Sequence, residues 1–307
     1  DPETGYQYSQ FTHYYRKFRK NKGLSMVQHH KPGERGYVDF AGRTLGWTDQ
    51  RTGEVHEAQI FVGALGYSHY LFAFAVASQN SGDWITCNRS WLEHLGGAPS
   101  IITSDNLKAA VIKPGAEPVL NRTYREFADH YGIGLLPARS RKPKDKSKVE
   151  NGVRLINRWA IVKLKNRTFF SLAEINAALQ ECVDYINNRI RPQWKATRRD
   201  LFQQFDLPAL LPLPAEPFVY AEWFENIRVR NSYHVRLHEH GYSVPHELVG
   251  EFVSARVTQT TVEIFRNASR VASHERSFVP NEYTTDIRHC PEPPRAYLEH
   301  QDRTSVV

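Results

Sequence analysis

Three acids in this chain stand where a carboxylate is either costly or isolated. Asp39 lies in YVDFAG, between Val38 and Phe40 of an apolar strand pattern, where an uncompensated charge is expensive. Asp105 closes the short apolar run PSIITSD and is followed by Asn106. Glu150 is the one glutamate in KDKSKVENGVRLINRW, among Lys144, Lys146, Lys148, Arg154 and Arg158, with Asp145 the only other acid. Taken singly, each has a plain structural reading. Asp39 can face solvent from a polar strand face, Ser-Asp-Asn is a common turn or cap, and most helix glutamates are solvated. Taken together, they are three hard oxygen donors of the kind that suits Mg²⁺ or Mn²⁺. Two such ions about 3.5–4 Å apart can clamp the attacking and leaving oxygens of a phosphodiester.

The pattern along the chain predicts elements that could bring these acids together. Residues 6–22 read as a helix with an aromatic face (Tyr14, Tyr15 and Phe18 as packing residues) and a basic end. GYVDFAGRTLGWTD reads as a strand, a turn and a second strand, and HEAQIFVGALG and YLFAFAVAS as two further strands. SGDWITCNRSWLEHLGG is helical with Ser81 as N-cap, APSIITSDN is a short strand, TYREFADHYG a helix and IGLLPARS a strand. A long helix is expected over residues 146–164 and another over 171–190, the latter opened by a Ser-x-x-Glu capping box. In such a mixed sheet the first strand can neighbour the end of the strand carrying Asp105, with the 146–164 helix lying across both. Residues four apart share a helix face, so Glu150, Arg154 and Arg158 line up. Asp145 and Glu126 are the alternative third ligands.

The charge pattern bears on the partner. The 307 residues carry 40 Lys+Arg against 33 Asp+Glu, for a net charge of +7, which permits a nucleic-acid partner without requiring one. Between 139 and 167 the bias is far steeper. Arg139, Arg141, Lys142, Lys144, Lys146, Lys148, Arg154, Arg158, Lys163, Lys165 and Arg167 face only Asp145 and Glu150, a ratio that phosphate binding explains directly and a solvated basic face explains less well. Lys108, close after Asp105, joins this candidate DNA-contact set. Past the Pro-rich segment the pattern becomes short alternating strands, NIRVRN, YHVRLHEHGYSV, EFVSARVTQ, TVEIFRNA and SRVASHERS, which suggest a small all-β barrel. Its arginines, Arg228 and Arg230 among them, are read as one basic face against a DNA backbone, with a structural or dimer-forming barrel as the alternative. Tyr220, Trp223 and Phe224 are read as core.

Several chemistries find no support. Three scattered cysteines with no CxxC pair favour neither a disulfide framework nor a Cys-rich zinc site, and fit a reducing cytosol. His29 and His30 read as linker rather than zinc ligands. No GxxxxGK[ST] phosphate loop or GxSxG elbow occurs, no apolar run has the length of a membrane span, and no signal peptide is visible. The opening DPETGYQYSQ, without methionine, is expected to begin downstream of a longer protein's own start.

HKPGERGYVDFAG, PSIITSDNLKAAV and KSKVENGVRLINRW, in that order, resemble the DDE transposases and retroviral-type integrases, and within them the IstA-type insertion-sequence transposases. The His-x-Pro-Gly-Glu lead-in before Asp39 is the most specific part, and the resemblance spans roughly residues 6 to 285. It implies an α/β fold: a ribonuclease H-like catalytic core, with a mixed five-stranded sheet and helices, followed by the small β-barrel. The corresponding divisions are an N-terminal helix and linker (1–31), a catalytic domain with helical extension (32–207), a Pro-rich linker (208–217), a barrel (218–285) and an extended tail (286–307). It implies a site in which Asp39 bridges two Mg²⁺ ions (Mn²⁺ substituting) while Asp105 and Glu150 hold one each. The implied activity is cleavage of transposon ends by water and transfer of the exposed 3′-OH into target DNA. A nuclease that cuts without joining, or a silent DNA-binding scaffold, is the alternative. DNA, a second copy of the chain and the AAA+ ATPase IstB are the implied partners, and a bacterial cytoplasm, on the nucleoid when active, is the implied setting. Two departures stand out. The spacing from Asp105 to Glu150 is 150 − 105 = 45 positions, longer than in retroviral integrases, with 113–122 as the expected insertion. The base that many relatives carry seven positions after the glutamate is here Asn157, with Arg158 beside it.

Overall fold

The computed structural model describes residues 7–21, 30–104, 111–113, 119–120, 122–137 and 147–291. Helix α1 (Tyr8–Asn21) precedes strands β1 (Arg35–Thr48), β2 (Val55–Leu65) and β3 (Leu71–Val76). There follow α2 (Ser81–Leu95), β4 (Ile101–Ser104), a ribbon of β5 (Val111–Lys113) and β6 (Val119–Leu120), α3 (Arg122–Tyr131) and β7 (Gly134–Pro137). One mixed five-stranded sheet runs β3-β2-β1-β4-β7. Strand β1 is antiparallel to β2 and parallel to β4, and β4 is parallel to β7. This is the ribonuclease H-like sheet that the resemblance implied; β6 falls within the expected insertion, and β5 reaches only its first residue.

The predicted strand, turn and strand over 36–49 form a single strand, β1, whose pairing with β2 shifts between Phe40 and Thr44. Gly42, at φ +68°, sits in that irregularity. A bulge bends a strand without ending it, and in sequence its glycine looks like a turn. Strand alternation sorts the side chains. Val38 and Phe40 join the core under α2 and α3, with Phe61, Trp84 and Trp91. Ile60, Val62 and Ala64 face the opposite core, under the C-terminal helices. Asp39, between Val38 and Phe40, therefore belongs to the face those later helices cover.

Helix α2 is capped by Asn80, whose side chain accepts from the Asp83 N–H at 2.7 Å, and not by the expected Ser81. The predicted 146–164 helix is a rod of three pieces: α4 (Ser147–Ile156), a π-helical turn Asn157–Ile161, and α5 (Val162–Leu164). Helix α6 (Leu172–Asn187) starts at the expected cap, Ser171 accepting from the Glu174 N–H at 3.2 Å. Glu174 reaches back to the Phe170 N–H (2.9 Å). Two asparagines of α6 dress the outer edge of the sheet. Asn187 accepts from the Leu71 N–H (3.0 Å) and donates to the Leu71 carbonyl (2.8 Å). Asn176 does the same at Ala75, at 2.6 and 3.0 Å. They satisfy backbone groups that an edge strand leaves unpaired. Beyond α6, α7 (Arg198–Leu201) runs into Asp206, a buried carboxylate that accepts from the Gly33 and Ser68 N–H groups at 2.8 and 3.0 Å.

The Pro-rich segment lies along the core: Leu211 and Ala98 exchange both backbone hydrogen bonds, and Phe218 is buried with Phe127. The β region then folds as two sheets around one core. One has the order β13 (Ser269–Glu275), β12 (Thr261–Arg266), β11 (Phe252–Val257), β8 (Glu222–Arg228). The other has the order β14 (Tyr283–Thr284), β10 (His240–Ser243), β9 (His234–Leu237). YHVRLHEHGYSV, predicted as one strand, is the β9–β10 hairpin, turning at His238 and Glu239 with φ of 44° and 68°. Trp223 is half-buried, not core, because Arg122 of α3 covers its ring at 3.1 Å and its Nε1 donates to Glu126 (3.1 Å). The aromatic residues of α1, expected as a packing face, are at least half exposed in this chain.

Burial lowers the pKa of His234, His274 and His289 below the ordinary imidazole value of 6.5. The Asp286 charge partly opposes this at His274 and His289. The unfolded chain therefore binds more protons just below pH 6.5, and native stability falls as the pH drops through that window. Acid denaturation should set in from about pH 6.5 downward, and the three imidazoles should titrate below 6.5 by NMR. Titration at or above 6.5 would contradict the burial argument.

Candidate active site

Asp39 is half-buried, and its Oδ1 accepts from the Phe40 N–H at 2.8 Å. It forms one wall of a groove of about 460 Å³ that Arg43, Val153, Arg154, Asn157, Arg158 and Val162 complete. Strand β1 supplies the acid, the bulge supplies Arg43, and the α4 rod supplies the rest. The rod is held at this height by specific contacts. Asn157 Nδ2 donates to the Ala41 carbonyl at 3.2 Å, two residues beyond Asp39. Gly152 lets the helix backbone lie on the sheet: a Cβ there would stand 3.0 Å from Leu71 Cδ2 and 3.6 Å from the Ala64 Cβ. Gly152→Val should push the rod off β2 and β3, with a loss of about 1–3 kcal/mol. A thermal melt of the variant, coinciding with the parent's, would refute that packing role.

The β1–β4 register ends on Val38 opposite Ser104. In sequence, Asp39 follows Val38 and Asp105 follows Ser104. Position 150 lies on α4 one turn before Val153 and Arg154, so by helix geometry it shares the face that lines the groove. Asp105, Lys108, Arg139, Arg141, Lys142, Lys144 and Lys146 lie outside the described residues, as do His29 and the alternative ligand Asp145. Lys148 and Glu150 belong to α4, and their side chains are likewise outside the description. The described residues contain no cluster of three or more potential metal ligands.

The structure brings Asp39, Arg154 and Arg158 to one groove. Arg154 is exposed and donates to Asn151 Oδ1 at 2.7 Å, while Arg158 stands 5.8 Å from the Trp159 ring. It does not bring Glu126 there. That carboxylate pairs with Arg122 (3.5 Å) and accepts from Trp223, at the junction of α3 with the β region. The arginines of the β region divide. Arg256 and Arg270 pair with Glu263 (3.0 and 2.7 Å) and Arg266 with Glu251 (2.9 Å), whereas Arg228 and Arg230 are exposed and form no ion pair among the described residues. The single basic face is therefore smaller than the sequence suggested. Arg43 went unnoticed in the sequence; its only signal there is its place after a bulge glycine.

Compared with known proteins, the chain is 41% identical over 301 residues to y4uI of Sinorhizobium fredii, assigned as a transposase, covering 97% of this chain and 58% of that one. It is 29% identical over 216 residues to the transposase for insertion sequence element IS21 of Pseudomonas aeruginosa, covering 69% and 54%. The chain is homologous to insertion-sequence transposases. It spans a little over half the length of these transposase relatives. Residues 213–286 match the family model of the Mu transposase, C-terminal domain, so the homology to transposases extends into the β region. Among solved structures, the HTLV-2 integrase catalytic core domain in complex with magnesium aligns over 57% of this chain and 99% of that chain, with a TM-score of 0.42 and 15% identity.

Proposed function

We propose that this chain is the catalytic part of a DDE transposase, a polynucleotidyl transferase that cleaves transposon ends and joins the 3′-OH to target DNA. The observation that carries the reading is the groove in which Asp39 faces Arg154, Asn157 and Arg158, at the end of the β1–β4 register and beneath the helix that bears Glu150. The donor chemistry of Asp39, Asp105 and Glu150, all hard carboxylate oxygens, fits Mg²⁺ or Mn²⁺. Two such ions, when bound, supply an activated oxygen nucleophile and charge neutralisation at the scissile phosphate. Arg154 and Arg158 then serve as phosphate clamps beside the reacting bond, and Asn157 holds their helix to β1. Lys108, the basic residues of 139–148, Arg228 and Arg230 extend the phosphate contacts along the duplex. The same reading takes at least a dimer of the chain as the unit that pairs two ends, and the AAA+ ATPase IstB as the target-selecting partner.

The test is a strand-transfer assay with pre-cut terminal duplexes of the element, target plasmid and Mg²⁺ or Mn²⁺. Joined products that vanish with EDTA are expected. Cleavage without joining would favour a simple nuclease, and inactivity under every metal condition would overturn the enzyme reading.

A further inference from the structure

A second and larger cavity, about 640 Å³, opens on the other side of α4, between that helix and the end of α6. Its floor is apolar, with Leu71 and Ile186, and its sides carry Trp159 and Tyr185. Arg154, Arg189, Arg191 and Arg198 surround it, and among the described residues no acid lines it. Arg198 is the telling member. It is only 6% exposed, its Nε finds no hydrogen-bond partner among the described residues, and its NH1 donates to the Ile186 carbonyl at 3.0 Å. Burial, with Arg191 and Arg189 nearby, pushes its pKa down to about 10. The nearby acid Asp184 is paired with Arg199 instead, at 2.5 Å. A buried cation among like charges is costly, and an anionic ligand would compensate it. Arg189 also stands 4.8 Å from the Trp159 ring, and Tyr185 is 60% exposed.

We propose that this cavity binds an unpaired nucleotide of the DNA strand that runs past the Asp39 groove, the arginines taking its phosphate and the Trp159–Tyr185 side its base. Arg154 lines both cavities, so a strand leaving one enters the other. A base inside a duplex has neighbours on both faces. An exposed ring such as that of Tyr185 therefore selects a base outside its stack. The volume suits a single small ligand, not a helix.

The inference rests on the DNA reading above, and the test separates the two. Fluorescence anisotropy on the full chain would compare a blunt labelled duplex with the same duplex bearing a short unpaired 5′ end. Tyr185→Ala and Arg189→Gln should each weaken binding of the overhanging duplex about tenfold, with less than a twofold change on the blunt one, and Tyr185→Trp should restore it. Equal weakening on both duplexes would make the cavity ordinary backbone surface and overturn the proposal. No change on either would overturn it in favour of a different occupant, such as an acidic peptide. A parent chain that binds neither duplex would sink the DNA reading itself.

Discussion

Asp39→Asn should lower strand transfer by about 10³-fold or more while leaving the melting temperature and duplex affinity close to those of the parent chain. Asparagine keeps the shape of the side chain and the acceptor that receives the Phe40 N–H. It removes the charge that would hold a divalent ion. An interaction supplying several kcal/mol to the transition state corresponds to about three powers of ten in rate. The measurement is joined product per unit time with Mg²⁺, alongside a thermal melt. A variant within tenfold of the parent would remove Asp39 from the site. A variant that loses activity only because it melts would leave the melt, not the chemistry, as the cause.

Trp91→Ala should cause the largest loss of stability in the molecule. Trp91 is fully buried in the core under α2. Its ring lies directly on two glycines of the sheet: a Cβ on Gly36 would stand 2.3 Å from its Cη2, and one on Gly63 2.8 Å from its Cε2. The glycines exist to admit the indole, and without it they leave a void no neighbour can fill. A cost of about 3–5 kcal/mol is expected, a fall in melting temperature of about 10 °C for a domain of this size. Gly63→Ala should be damaging in the parent and nearly harmless in the Trp91→Ala background, because the two effects share one space. Additive losses would contradict that packing.

Much of this arrangement is legible before any coordinates, for reasons specific to certain residues. Alternation alone places Asp39 opposite Val38 and Phe40, and the α4 groove confirms its side of the sheet. The spacing of Arg154 and Arg158 by four puts them on one helix face, and both line that groove. What escaped reading was set by distant partners. Glu126 is an ordinary helix acid until Trp223, 97 positions later, approaches it. The turn at His238 and Glu239 lacks the Asn-Gly signature of tight hairpins, so its positive φ values come from the pairing of β9 with β10. Ser81 and Asn80 are both competent caps, and only the backbone path chooses Asn80. The arginine cavity joins residues 154, 189, 191 and 198 from separate segments, which no local pattern reveals.

The π turn at Asn157–Ile161 has a consequence for how sequences of this kind can change length. Each residue of an α-helix advances the side chain by about 100°, and a π turn accommodates roughly one residue more than an α turn does. The rod is therefore phased in two steps: Val153 and Arg154 before the π turn and Val162 after it line the groove, while Ile156 before it and Leu164 after it enter the core shared with α6. Deleting one residue within 157–161 would restore an ordinary helix and keep the half bearing Leu164 seated. It would also rotate Val153 and Arg154 by about a quarter turn out of the groove that holds Asp39. Insertions and deletions in the rod are thus not neutral length changes but rotations of the groove-lining Arg154 about an axis.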